Sequence, residues 1–574
     1  MKKRYFLPLA GFLIATGTPS ALFMPRELDM AIGFAGFLLG FSVTYLSMVR
    51  AALRNRDPIC KTGELTPFVM PVLIFSLCTI VSAVITIPKD AAIVISFASC
   101  FVLSLLAYGL GAAAVFKDLR AEHRHRTELQ APQASDDRKV LVLVNPVNPH
   151  KTGLTVNASS RFPPLGLGSI AALTPKEYRV VLVDENISPF EFISGDLVGI
   201  TAFTSSANRA YEIADRYRAA GIPVVMGGIH ASMASDEALG HADSIVIGEA
   251  EGVWGDVLSD FEAGTLKPRY EGRPADLAES PAPRRDLFSP EYLFASVQSS
   301  RGCPMDCYFC SVTPFNGKRY RQRPVETVLD EIESIPQDYL FFVDDNILGY
   351  GQNAEERAIK LFRGMVERKL KKSWFCQASI NFADNPEVLR WASKSGCKMV
   401  FIGLESADPE ELKAMGKTLN LKREYERAFR SIHRHGIAVL GAFIFGSDAE
   451  TEASMVRKTD YIQKAAIDVV QITVLTPLPG TRLFAQYERE GRLTRTDFPA
   501  DWDRYDMGEL TYAPAQMDTD AFRRMLEKCW ERIYSPCSLA YKFMRTLFMT
   551  RSMTTAFWAY NSNVNYRNTG SRKA

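Results

Sequence analysis

At 574 residues the chain is too long for one ordinary domain, and 47% hydrophobic against 23% charged residues excludes a disordered polymer. Lys plus Arg total 67 against 65 Asp plus Glu, and a formal charge of +2 gives no basis for a nucleic-acid partner. Ten cysteines, three of them within eight residues, exclude an evenly spaced disulfide framework and favour a metal site in a reducing compartment.

Residues 1–116 are strongly apolar. Four stretches, 5–24, 31–49, 68–87 and 91–116, each come near the ~20 residues a helix needs to cross a bilayer core. Positive charge alternates between the flanks: Lys2, Lys3 and Arg4 first, then Arg50, Arg54, Arg56 and Lys61, then Lys117, Arg120, Arg124 and Arg126. The positive-inside rule therefore predicts a four-helix transmembrane region with both ends cytoplasmic. The expectation is a multi-pass protein of a bacterial-type inner (cytoplasmic) membrane, with its catalytic domains in the cytoplasm. A signal peptide competes for the first stretch only. Residues 117–138 are polar with mixed charge and read as a linker.

From Lys139 the pattern changes to short apolar runs separated by helix-like segments: KVLVLVNP, RVVLVDEN, DLVGITAF, PVVMGG and DSIVIGEAE. This alternation predicts a doubly wound parallel sheet over 139–260. Ligands bind such sheets beyond the carboxyl ends of the strands, where Thr204, Ser205, Gly227, Gly228 and Glu249 lie. Residues 261–290 are read as a connector.

The segment SSRGCPMDCYFCSV follows, with Cys303-x3-Cys307-x2-Cys310. The spacing departs from zinc's paired C-x2-C knuckles, and no second Cys or His pair follows at a zinc-like distance. Three thiolates of one short loop can hold three irons of a [4Fe-4S] cluster and leave the fourth iron open to S-adenosylmethionine (SAM). Strands are predicted at 292–298, 339–346, 374–382, 398–406, 438–447 and 468–478, with helices at 353–370, 386–396, 422–435 and 451–465. Six strand–helix units over 291–490 suit a partial (β/α)6 barrel, whose site residues gather at the carboxyl ends of its strands. Cys376 falls inside a strand and reads as a packed core thiol. Residues 491–574 are predicted to be a helical C-terminal extension with a helix around 518–533. Its run LAYKFMRTLFMTRSMTTAFWAY suits either an interfacial helix or one packed on the barrel.

The motifs RFPPLGLGSIAALTP, VVMGGIHAS, CPMDCYFC, FVDDN, FIGLES, GAFIFGS and LTPLPGT together resemble the radical SAM superfamily, in its branch with an N-terminal cobalamin (B12)-binding-type domain. The likeness covers about residues 139–490, and the C-terminal region is similar to proteins linked to hopanoid methylation. The resemblance implies the metal ligands Cys303, Cys307 and Cys310, with Phe309 beside the SAM adenine and Glu405 on its ribose. Asp345 and Gln377 stand where SAM or substrate is contacted. It also implies cobalamin held by Thr204, Ser205, Gly227, Gly228 and Glu249. The chain departs from the pattern twice. Asp184-Glu185-Asn186 stands where a cobalt-ligating Asp-x-His would be, and Asp448-Ala449 replaces the usual Pro-Gly. The implied activity is cobalamin-dependent methylation of an apolar small-molecule or lipid substrate, with an electron donor such as flavodoxin or ferredoxin. A non-methylating radical cyclisation of a tetrapyrrole or isoprenoid, and a cobalamin- or SAM-binding sensor without turnover, stay open as alternatives.

Overall fold

A computed structural model describes residues 137–148, 161–417, 420–422 and 424–570. Two parallel sheets organise them. The first has the order β2-β1-β3-β4-β5-β6, from β1 (Lys139–Asn145), β2 (Tyr178–Asp184), β3 (Leu197–Thr201), β4 (Val224–Gly227), β5 (Ser244–Ile247) and β6 (Arg269–Glu271). Leu141, Val142, Leu143 and Val144 are all buried, because helices cover both faces of this sheet. Its sixth strand comes from the stretch expected to be a connector.

The second sheet begins with β7 (Phe294–Val297). A two-stranded ribbon, β8 (Ser300–Arg301) with β9 (Arg321–Gln322), brackets the cysteine loop. The sheet continues through β10 (Tyr339–Phe342), β11 (Ser373–Ala378), β12 (Cys397–Glu405), β13 (Ala438–Phe445) and β14 (Val469–Val474), in the order β14-β13-β12-β11-β10-β7. All neighbours in it pair in parallel, giving the expected six-stranded barrel sheet. Alternate residues separate its faces. Leu340, Phe342, Trp374, Cys376, Val400 and Ile402 pack under the helices, and Cys376 is the core thiol expected of it. Phe294, Phe341, Phe375 and Phe401 occupy the other parity and face inward.

The C-terminal residues close the structure in two places. Trp502 and Tyr505 return to the core of the first sheet. The helices Pro536–Thr550 and Met553–Gly570 pack beneath the second, where Asn563 Nδ2 donates to Asp468 O (2.7 Å) and Thr555 Oγ1 to Gly436 O (3.0 Å).

The expected four-helix transmembrane region and multi-pass placement are corrected here. No helix among the described residues is long and apolar enough to cross a membrane. The longest, Met553–Gly570, has 18 residues and carries Asn561, Asn563, Asn565 and Arg567, which a bilayer core would leave unsatisfied. The four apolar stretches and the linker lie outside the described residues. The architecture carried forward is the multidomain α/β fold alone.

Candidate functional site

The cysteine loop leaves β8 through Gly302, whose φ of 92° suits glycine; a Cβ there would strike the Arg319 carbonyl. The loop is pinned from several sides. Cys303 N donates to Gly317 O (3.3 Å) and Cys310 N to Cys307 O (3.1 Å). Thr313 Oγ1 donates to Met305 O (3.0 Å), and Leu483 N, in the helix Arg482–Arg489, donates to Tyr308 O (3.1 Å). The Asp345 carboxylate accepts from Gly302 N (2.9 Å) and Asn316 Nδ2 (3.0 Å). Asp345, expected against SAM or substrate, thus has its carboxylate committed to shaping the loop.

All three thiols are half-buried, and burial pushes each up from the ordinary thiol range, that of Cys310 to about 11. Among the described residues no group of three or more His, Cys, Asp or Glu side chains converges on a point as a single metal ion requires. A four-iron cluster makes a different demand, since each thiolate binds its own iron. Three soft sulfur donors of one pinned loop fit that group, and binding it would displace their protons.

Glu405 ends β12 at a register shift, with φ at 62° in a non-glycine residue. Such strain persists where the surroundings over-determine it, and a bulge re-aims a side chain. The carboxylate meets Lys417 Nζ at 2.7 Å, and a Cβ on Gly403 would lie 2.6 Å from its Oε1. Burial opposes charge on Lys417, but Glu405 and the nearby Cys307 and Cys310 sulfurs raise its amine above the usual range. The structure therefore gathers Cys303, Cys307, Cys310, Glu405 and Lys417. The sequence reading missed Lys417; its signal was a lysine just past Gly416, which stops the helix Pro409–Ala414. Phe309 lies edge-on to Tyr308 at 5.8 Å and packs on the barrel core. Gln377 shares the inward parity of Phe375, and its backbone carbonyl accepts from Ile347 N (2.9 Å). Asp448, where Pro was usual, makes a two-pronged pair with Arg492 and accepts from Tyr487 Oη (3.0 Å), so the altered turn has its own partners.

At the first sheet, Thr204, Ser205, Gly227 and Gly228 come together at the carboxyl ends of β3 and β4. Gly228 has φ 89°, and a Cβ there would press Thr201 Oγ1. Thr204 Oγ1 meets His230 Nδ1 (3.3 Å), and His230 is fully buried against Tyr211 Oη (3.0 Å), as a structural histidine is. Phe203 stands 67% exposed on the same rim, a residue the sequence reading passed over. Glycines at the strand ends beside an exposed ring stand where a sheet of this kind takes a nucleotide tail. Where a cobalt-ligating histidine would follow, Asp184 instead accepts from Asn145 Nδ2 (2.8 Å) and Tyr292 Oη (2.5 Å).

Glu249 does something different from its expected contact with cobalamin. It accepts from Arg301 Nη1 (2.8 Å), Arg321 Nη1 (2.9 Å) and Ala275 N (2.9 Å), and pairs with Arg321 Nη2 as well. It ties the end of β5 to both strands that bracket the cysteine loop. Burial alone would raise the Glu249 carboxyl, but the Arg321 hydrogen bond and Arg301 hold it below the usual range.

Comparison with known proteins agrees with this geometry. A family model for the radical SAM superfamily matches residues 297–477, and one for the B12 binding domain matches residues 151–258. Bacteriochlorophyllide d C-12(1)-methyltransferase of Chlorobaculum tepidum is 32% identical over 429 residues, covering 71% of this chain and 89% of that protein. Hopanoid C-2 methylase of Rhodopseudomonas palustris is 28% identical over 362 residues, covering 61% and 68%. Among solved structures, the radical SAM methyltransferase TsrM from Kitasatospora setae, with cobalamin and a [4Fe-4S] cluster bound, is similar in fold. Its TM-score is 0.55 at 17% identity, over 70% of this chain and 90% of that one.

Proposed function

The chain belongs to the radical SAM superfamily, in the branch with a B12 binding domain, and we propose that this methyltransferase acts on an apolar, ring-bearing small molecule. The enzyme works with a [4Fe-4S] cluster, SAM and cobalamin, and it needs an electron donor; flavodoxin or ferredoxin would serve. Held there, the reduced cluster and SAM would supply radical chemistry at carbon, and cobalamin would supply the methyl group. The residues assigned to hold these groups are Cys303, Cys307 and Cys310 for the cluster, Glu405 and Phe309 for SAM, and the Thr204–Ser205 and Gly227–Gly228 edges for cobalamin.

The observation that carries the substrate class is the aromatic inner face of the barrel. Phe341 and Phe375 stack at 4.3 Å and 7°, and Phe294 meets Phe375 edge-on at 5.6 Å. Phe162, from the segment after β1, reaches this layer at 4.8 Å from Phe341, and Trp558, 5.6 Å from Phe294, closes it at the beginnings of the strands, away from the cysteine loop. A wall of rings favours a planar or polycyclic apolar guest and offers no charge to a polar one. The relatives that act on a bacteriochlorophyllide and a hopanoid fit that class.

The test is anaerobic incubation of the reduced full chain with methyl-labelled SAM and, separately, bacteriochlorophyllide d and a hopanoid. The proposal expects labelled product heavier by one CH2. Loss of hydrogens without label would favour radical cyclisation instead. 5′-Deoxyadenosine released with neither substrate changed would remove the proposed class.

A further inference from the structure

From Arg532 to the C-terminus the sequence holds seven Lys and Arg residues and no Asp or Glu. In that stretch the helices Pro536–Thr550 and Met553–Gly570 form an antiparallel pair, joined side to side by Phe543 against Phe557 at 5.3 Å. Their inner sides are accounted for. Leu539, Lys542 and Thr546 of the first, and Ala556, Ala559 and Asn563 of the second, are buried against the barrel. Their outer sides are apolar as well. Tyr541, Met544 and Phe548 are 58%, 45% and 72% exposed at i, i+3 and i+7, one stripe of one helix. Met553 (52%) and Phe557 (51%) continue the patch on the second. Five of the eleven large hydrophobic residues exposed among the described residues lie on these two helices. Folding of the barrel does not explain them.

We propose that this face rests on an anionic lipid surface as a peripheral contact. Aromatic and Met side chains on a cationic helix pair free of acidic residues are what an interfacial element needs: apolar groups for the acyl boundary, cations for the headgroups. Lys542 is buried and Arg545 donates to Ile467 O, so the exposed cations of the described helix pair are Arg551 and Arg567, and these are the ones offered to headgroups. A second copy of the chain would set two acid-free, cationic faces against each other, so charge disfavours it as occupant. The polar Asn residues of Met553–Gly570 keep the contact at the surface. The face also lies under the beginnings of β13 and β14, at the opposite end of the strands from Glu405 and the cysteine loop. Lipid contact and SAM cleavage are thus separable.

The test uses the full chain with its cluster reconstituted and p-benzoylphenylalanine in place of Phe548. A control carries the same group in place of Val456, which is 42% exposed on the helix Glu452–Lys464. After irradiation with phosphatidylglycerol vesicles, a lipid adduct is expected at 548 and none at 456. It should fall about tenfold or more with phosphatidylcholine vesicles, or in the pair Arg551→Glu/Arg567→Glu, with 5′-deoxyadenosine formation unchanged. No adduct at 548, equal adducts with both lipids, or crosslinks to a second copy or to residues 1–136 in place of lipid would each overturn the proposal.

Discussion

Replacing Glu249 by Gln tests how the cobalamin-type domain is tied to the cluster loop. The carboxylate is 4% exposed, and its partners Arg301 and Arg321 are 14% and 10% exposed. Removing one charge from a buried pair costs about 3–5 kcal/mol. Here the loss is softened, because Arg301 keeps Glu251 at 2.8 Å and Arg321 keeps the carbonyls of Ala275 and Asn316. About 2–4 kcal/mol is expected, which lowers Tm by about 2–6 °C in a protein of this size. Arg301 lies two residues before Cys303, so 5′-deoxyadenosine formation should fall as well. The folded carboxyl lies below its unfolded value of 4.5, so its stabilisation is present above that pH and is lost as pH falls through the folded value. The variant and the parent should therefore converge in acid. A variant with unchanged Tm that has lost only its corrinoid would refute this reasoning and return Glu249 to cobalamin.

Two further outcomes follow from the same geometry. Lys417→Met, which removes the partner of Glu405, should lower 5′-deoxyadenosine formation about tenfold or more while iron content stays at the parent level, and should be less than additive with Glu405→Gln. Full activity in Lys417→Met would show that the pair is idle. Lys542 is 1% exposed, and burial brings its amine down to about 7 from 10.5 in the unfolded chain. Its cost to folding is fully present below about pH 7 and shrinks as pH rises toward 10.5. The shift caps that cost at about 5 kcal/mol, so Lys542→Met should stabilise by about 2–4 kcal/mol at pH 7 and by less at pH 9.5 in denaturant titrations. Destabilisation at both pH values would mean that a charged Lys542 is held by Asp468.

Much of the second sheet was legible because buried parallel strands write themselves as short apolar runs. The expected 438–447 is observed as Ala438–Phe445, buried at every residue. The cysteine loop was legible because its three ligand sites lie within eight residues. Long-range pairing was not. Glu249 meets Arg301 and Arg321 across 52 and 72 residues, and nothing local marks a carboxylate as facing the barrel rather than a cofactor. Asp345 was expected against SAM or substrate and Lys417 was missed for a related reason, since both roles depend on which way a turn throws the side chain. The C-terminal run, read as either interfacial or packed, proves to be packed on its inner side with an apolar outer one. The return of Trp502 and Tyr505 to the first sheet left no periodicity to follow. For residues 1–116, hydropathy and alternating flank charge supported spans that no described helix bears out.

The most direct test of the central claim is anaerobic purification of the full chain with iron, sulfide, zinc and corrinoid measured on one sample, beside Cys307→Ser and Cys376→Ser. A [4Fe-4S] enzyme should carry about four irons and about four sulfides per chain. Cys376→Ser should keep them, and Cys307→Ser should lose them together with 5′-deoxyadenosine formation. Parent protein carrying zinc or no metal, or Cys307→Ser retaining a full cluster, would contradict the assignment.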